Sequence, residues 1–416
     1  MNLAKFTKTL LGCACAALVL APAGSAQAKG FKVIYTFCSQ NNCSDGGIPY
    51  GGLILDNKGN LYGTTSIQGN LKCHSPFGCG TMFELTTQGA LTGLHSFKTG
   101  QGQESLANLV PDKKGNLYGS LTYGGNDGCN KAGCGTVYKL AADGTETTLY
   151  VFTGGADGGN PFGTPIMDKD GNLYGTTVGG GLNACGGGCG TVYKVTPSGT
   201  ETVLYNFCSD IQNGNCLDGI FPEAGLIADK AGNLYGTVVG GGSNGYGAVF
   251  ELAPDGTETV LYSFKGGATD GGTPEAAVIA DSNGNLFGTT IQGGSGGDGT
   301  VFKLTPGGVE SVLHSFTGGS DGDYPTASLI EDNKGNLYGT TFRGGGSGCA
   351  FNGSYGCGTV FEVTQKGTEK VLHNFGSGSD GFYPYGSLVA DGLGNIYGTA
   401  PFGGSTGWGT VFMIEQ

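Results

Sequence analysis

Apolar residues along this chain come in short runs rich in Val, Leu, Thr, Tyr and Phe, and each run stops at Gly, Asn, Asp or Pro. None of the runs keeps the rhythm of an amphipathic helix, so the pattern predicts strands joined by tight turns. The runs also recur. "GNLYG" starts at Gly59, Gly115, Gly171, Gly232 and Gly335, with "GNLFG" at Gly284 and "GNIYG" at Gly394, at intervals of 56, 56, 61, 52, 51 and 59 residues. A second series keeps step with it: "GTMFEL" at Gly80, "GTVYKL" at Gly135, "GTVYKV" at Gly190, "GAVFEL" at Gly247, "GTVFKL" at Gly299, "GTVFEV" at Gly358 and "GTVFMI" at Gly409. A long period built only of strand-type runs predicts propeller blades or another all-β array.

Each unit holds four runs, A to D. In the sixth they are "ASLIED", "GNLYGTT", "GTVFEV" and "EKVLHNF". Between A and B lies Asp-x-x-Gly-Asn, as in "DNKGN" from Asp332, whose glycine can take the positive φ of a tight hairpin. Four antiparallel strands in each of seven units predict an all-β, seven-bladed β-propeller. The order of the runs is offset, because residues 31–37, "FKVIYTF", form a D strand while the chain closes on a C strand, "GTVFMIEQ". The N-terminal strand is therefore expected to complete the seventh blade and close the ring, which removes an exposed sheet edge.

Residues 1–28 read as a secretory signal peptide, with Lys5 and Lys8, an apolar stretch from Leu10 to Ala21, and Ala26 and Ala28 framing a cleavage site. Leu10-Leu11-Gly12-Cys13 offers lipidation at Cys13 as a lesser alternative. Residues 29–416 then form a single domain, expected to be secreted or periplasmic and monomeric. Removing Lys5 and Lys8, with no acids lost, takes the net charge from −13 to −15 and argues against nucleic acid or an anionic membrane as partner. Glycine supplies 87 of 416 residues without a three-residue period, so collagen is excluded. The remaining runs are too short to span a bilayer.

The composite "DGxxP…D-x-x-GNLYGTT…GG…GTVFKLTPxGTETVLYSF" resembles the GloVer-type tandem repeats of secreted bacterial choice-of-anchor proteins, over essentially the whole mature chain. The resemblance implies an exported protein, and no established activity, cofactor or catalytic residue comes with it. Family members carry varied C-terminal anchoring segments, whereas this sequence stops at Gln416, directly after a strand.

In a four-stranded meander the A-to-B and C-to-D hairpins share one face, and the B-to-C and D-to-A connections share the other. The second face receives every long, variable loop, which is where binding usually resides. It also receives twelve cysteines in close pairs: Cys38 with Cys43, Cys73 with Cys79, Cys129 with Cys134, Cys185 with Cys189, Cys208 with Cys216, and Cys349 with Cys357. Even count, short spacing and export favour local disulfides. Zinc needs four converging ligands, and pairs in separate blades would rarely meet. The spacings also lack the C-x-x-C context of redox catalysis.

The D-to-A loops carry Asp-Gly-x-x-Pro at Asp45, Asp157, Asp218, Asp270, Asp321 and Asp380. Turn chemistry, with the carboxylate accepting backbone N–H groups, explains them more simply than a shared calcium ion. His95, His314 and His373 stand where other D strands have Tyr35, Tyr150, Tyr205 and Tyr262, so they are read as aromatic packing variants.

Breaks in the repeat are better candidates for a site. The residue before the C-strand glycine is cysteine in four blades but Tyr246, Asp298 and Trp408 in the others. Trp408 is the sole tryptophan, Arg343 the sole arginine, and His74 a loop histidine without a repeat counterpart. Guanidinium suits carboxylates, and Trp and Tyr rings suit sugar faces, so Arg343, Trp408, Tyr246, Asp298 and His74 form the candidate ligand site. Packing in place of a missing disulfide is the plainer role for Tyr246 and Trp408. No nucleophile elbow, phosphate loop or H-E-x-x-H motif occurs, and neither metal nor cofactor is expected. The expected function is an exported, non-catalytic binding or scaffold propeller holding an extracellular glycan or protein. The alternative is a carbohydrate-active hydrolase or lyase using acids of the D-to-A loops at the channel mouth.

Overall fold

The computed structural model describes residues 30–73, 76–346, 348–351, 354–376 and 378–416. The signal segment, residues 1–28, and His74 lie outside the described residues. Seven four-stranded antiparallel sheets succeed one another along the chain as the blades of a propeller. In the first blade, strands A to D are Ile54–Leu55, Leu61–Thr65, Thr81–Leu85 and Leu91–Ser96. The seventh takes Val389–Ala390, Asn395–Ala400 and Thr410–Glu415 from the C-terminus, with Lys32–Thr36 as its D strand. That closing pair runs from Lys32 opposite Met413 to Thr36 opposite Thr410. Among the described residues no helix is long and apolar enough to cross a membrane.

The repeated letters each have a packing reason. In the B run, a Cβ on Gly236 would lie 2.7 Å from the ring tip of Phe250 and 2.9 Å from Leu226, so only glycine lets the C-strand aromatic lie across its neighbour. The threonines that follow are buried and pair across strands, as in Thr177 with Thr191 at 2.9 Å. Blades are joined by a ring of aromatic contacts in which the Phe ending one D strand meets the C-strand aromatic of the next blade. Phe207 meets Phe250 at 5.1 Å, and Phe37 meets Phe83 at 5.1 Å where the seventh blade meets the first. Each such pair contributes about 1 kcal/mol beyond the area it buries.

Two features differ from the sequence pattern. Strand A is shorter than its run: only Ile330–Glu331 pair in the sixth blade. The residues before it bond to the neighbouring blade instead, the Ala277 N–H donating to Ser328 Oγ at 3.1 Å and the Asn108 N–H to Thr164 Oγ1 at 2.9 Å. Strand D carries a bulge: Val203 faces Tyr193 and Tyr205 faces Val192, leaving Leu204 without a partner, and the other blades repeat this. A bulge re-aims the following side chain, which here is the Tyr or His that meets the loop acid.

Candidate ligand-binding face

On the hairpin face, Asp332 accepts the backbone N–H groups of Lys334 and Asn336 at 2.8 Å, the Asn336 amide at 3.0 Å and the Tyr338 hydroxyl at 3.1 Å. Partial burial pushes its pKa up, and these donors outweigh that and hold it below the usual range. This is a closed turn. It offers a ligand nothing.

The D-to-A loops use aspartate to tie the loop to the strand it leaves. Asp218 accepts from the Tyr205 hydroxyl, the Ser209 N–H and Ser209 Oγ at 2.8, 2.8 and 3.0 Å. Asp45 does the same with Tyr35 and Ser39. The histidines hold these acids too: His373 Nε2 is 3.2 Å from Asp380, and His314 Nε2 is 3.6 Å from Asp321. They are therefore more than packing variants, although each also lies edge-on to a Phe. In the degenerate loop His95 meets Gln101 at 3.2 Å, so the amide takes the place of the acid.

Three residues after each loop acid or amide the chain turns through the left-handed region at a non-glycine residue. Ile48, Glu104, Asn160, Phe221, Thr273, Tyr324 and Tyr383 have φ between 56° and 60°. Such a conformation costs about 1 kcal/mol or more for a bulky residue. It turns the N–H onto the previous blade, as Phe221 donates to the Cys189 carbonyl at 2.9 Å and Tyr383 to the Cys357 carbonyl at 2.8 Å. Blade contact thus holds the strain, and the side chain at this position is free to vary.

Two elements of the sequence candidate set come together. Asp323 and Arg343 exchange backbone hydrogen bonds at 2.9 and 3.0 Å. The Arg343 guanidinium lies 4.4 Å from the centre of the Tyr324 ring and 5.8 Å from that of Phe342. Burial first, then the charge of Asp298, lifts the Asp323 carboxyl to about 6 against the pull of Arg343. Asp298 and Arg343 therefore act on one buried carboxylate. In the next blade the equivalent cross-bridge pair is Phe382 with Phe402, stacked at 5.8 Å.

Tyr246 and Trp408 each lie against glycines of their own D-to-A loops. Added Cβ atoms on Gly266 and Gly272 would touch Tyr246, and one on Gly47 would touch Trp408. Each fills, against its own D-to-A loop, the place a disulfide takes elsewhere, as Cys129 and Cys134 do against Gly154. All six cysteine pairs are disulfides. Two pairs of one blade approach each other: Cys208 lies within 4.8 Å of Cys185 and Cys189, because the D-to-A loop folds back over its own blade. With these sulfurs in disulfides, no thiolate is left there to ligate a metal.

A second group of residues lies around the axis. The residue after the loop proline, or after Ser105 in the degenerate loop, is Tyr50, Leu106, Phe162, Glu223, Glu275, Thr326 or Tyr385, and all seven line one central cavity. Burial, then Glu223, lifts Glu275 to about 7, and burial lifts Glu223. Burial, then the charges of Glu275 and Glu223, pushes the Tyr385 phenol up. Aromatic rings connect this cavity to Arg343: Tyr50 meets Tyr385 at 5.6 Å, Tyr385 meets Phe342 at 6.2 Å, and Tyr50 meets Phe402 at 5.9 Å. Glu223 and Glu275 belong to D-to-A loops but are not the repeating aspartates, so reading the Asp-Gly motif passed over them. The signal was present: aligned by their loops, the units vary most beside the proline.

The Gloeobacter/Verrucomicrobia repeat model matches residues 128–351, more than half of the chain. The chain belongs to that repeat family. No functionally curated protein matches it. Among solved structures, a puromycin hydrolase is similar at 12% identity with a TM-score of 0.52, over 86% of this chain and 50% of that one. The GH74 enzyme of Niastella koreensis has 16% identity and a TM-score of 0.49, over 85% and 51%. A gluconolactonase of Xanthomonas campestris has 15% identity and a TM-score of 0.39, over 67% and 78%. At 12% identity the likeness to the puromycin hydrolase is one of fold alone, and activity has to be argued from the site.

Proposed function

We propose that this repeat-family protein is an exported binding propeller that holds an extracellular glycan on the long-loop face of blades 6, 7 and 1. The observation that carries this reading is the run of rings from Tyr324 and Phe342 through Tyr385 and Tyr50 to Phe402, flanked by Arg343 and Asp323. Aromatic faces stack on sugar rings while a nearby guanidinium donates to hydroxyl oxygens and a carboxylate accepts from hydroxyl groups. Six disulfides support an oxidising compartment. All of them lie in long loops, where they stiffen the face that binds.

The test is calorimetric titration of the full chain with a panel of soluble polysaccharides, with reducing-end release measured in the same samples. Phe402→Ala and Arg343→Ala should each weaken the detected ligand about tenfold. Trp408→Ala should leave it nearly unchanged. Binding indifferent to both Phe402 and Arg343 removes the proposal. The axial pair Glu223 and Glu275 favours a second reading, hydrolase or lyase action. Oligosaccharide release abolished by Glu275→Gln would establish that reading.

A further inference from the structure

The axial cavity has a charge problem of its own. Glu223 and Glu275 line, from adjacent blades, a space of about 70 Å³, and the charge of Glu223 acts on Glu275. Tyr385, Tyr50 and Phe162 supply rings around the same space, and no Lys, Arg or His is among the lining residues. Among the described residues no hydrogen-bond donor meets either glutamate side chain. Thr326 lines the cavity too, is 8% exposed, and its Oγ1 has no hydrogen-bond partner. Two carboxylates and an unanswered hydroxyl in a confined space call for a bound cation.

The lining selects which cation. Calcium takes six to eight oxygens, whereas two carboxylates and one hydroxyl stand here among aromatic and aliphatic side chains. An organic ammonium suits this mixture: its N–H groups donate to carboxylates and hydroxyl, and its charge and methylenes lie against ring faces. We propose that the axial cavity, formed by Glu223, Glu275, Thr326, Tyr50, Phe162 and Tyr385, binds an ammonium group of a small amine.

Two further titratable groups bear on the site. Tyr385 faces both glutamates and Tyr50, and Tyr50 also faces Glu104. Both phenols stay neutral near neutral pH, so the charge of the cavity is set by the two glutamates. Protonating them at acidic pH should release the ligand.

The full chain is titrated with methylammonium chloride at pH 8, with sodium chloride at equal ionic strength as blank, and then with calcium chloride, glucosamine and 1,4-diaminobutane. Saturable methylammonium binding is expected, about tenfold or more weaker in Glu223→Gln combined with Glu275→Gln, and unchanged in Lys169→Ala on the exposed hairpin face. Glucosamine binding more tightly than the diamine identifies an amino sugar as source; the reverse order identifies a polyamine. Affinity should fall about tenfold or more between pH 8 and pH 5.5. The double variant loses like-charge repulsion, so it should melt no lower than the parent; if it does, Glu275→Gln alone is used. Absence of saturable binding by all three amines at pH 8 overturns the proposal, as does calcium binding that excludes methylammonium. Neither result bears on the glycan site, whose test reads Phe402 and Arg343.

Discussion

The two faces of the ring use aspartate in opposite ways. On the hairpin face Asp332 meets four donors from its own turn, and water reaches the site. On the long-loop face Asp218 is 2% exposed, its Oδ2 takes three donors, and its Oδ1 has none. Nearby, Glu258 from the next blade also holds a buried oxygen without a partner. The hairpin is complete within seven residues, so the blades repeat it with little change, Phe287 alone replacing the tyrosine donor. A loop that crosses between blades must satisfy groups from both, and its chemistry differs from one crossing to the next. Function has room to arise where satisfaction is incomplete.

The largest expected effect tests that contrast directly. Asp218→Ala leaves the Tyr205 hydroxyl and the Ser209 N–H without their acceptor, at a cost of about 2–3 kcal/mol after partial relief of Glu258. Asp332→Ala, where water replaces the carboxylate, should cost about 1 kcal/mol. Urea melts of the two variants decide it; equal losses would mean that the faces do not differ in this respect. Next in size is the staple. Cys349→Ala with Cys357→Ala should cost about 2 kcal/mol by the chain-entropy argument for a short ring. It should also raise amide exchange in the sixth blade's B-to-C loop while leaving the Asp332 hairpin protected. Exchange rising equally on both faces would show that the disulfide stiffens the whole blade.

The repeat made the architecture readable because each repeated letter answers a local need: glycine under a ring, threonine facing threonine, aspartate closing a hairpin. The ring closure was readable as well, from a D-type run at one end and a C-type run at the other. The site was readable only in part. Arg343 and Asp298 stood out as departures from the repeat, and both bear on Asp323. Trp408 and Tyr246 stood out in the same way, yet rarity of a residue type does not separate a ligand contact from a plug, and each packs on glycines of its own loop. Glu223 and Glu275 stand at the variable position beside the loop proline, but their convergence on the axis comes from the curvature of the ring, which spacing along the chain does not record.

The smallest expected effect sets one crossing against another. Between blades 1 and 2 the loop residue is Gln101, whose amide donates to Glu146. At the later crossings the loop residue is an aspartate, and Glu201, Glu258, Glu310 and Glu369 each keep a buried Oε1 without a partner. Burial, then Asp218 and Asp210, lifts Glu258 to about 7. Because the folded value lies above the unfolded one, the folded state holds the proton more tightly. Its stabilising contribution is whole below about pH 4.5 and is lost as pH rises through about 7. Discounted for solvent screening at a partly exposed group, that is about 1 kcal/mol. Glu258→Gln should therefore raise stability by about 1 kcal/mol at pH 8, leave it nearly unchanged at pH 4.5, and flatten the profile between them. Glu146→Gln removes a charge-assisted hydrogen bond and relieves no repulsion, so it should lower stability at pH 8. Chemical melts from pH 4.5 to 8 read both. If the two substitutions move stability in the same direction at pH 8, the crossings are alike, and acid against acid between blades carries no penalty.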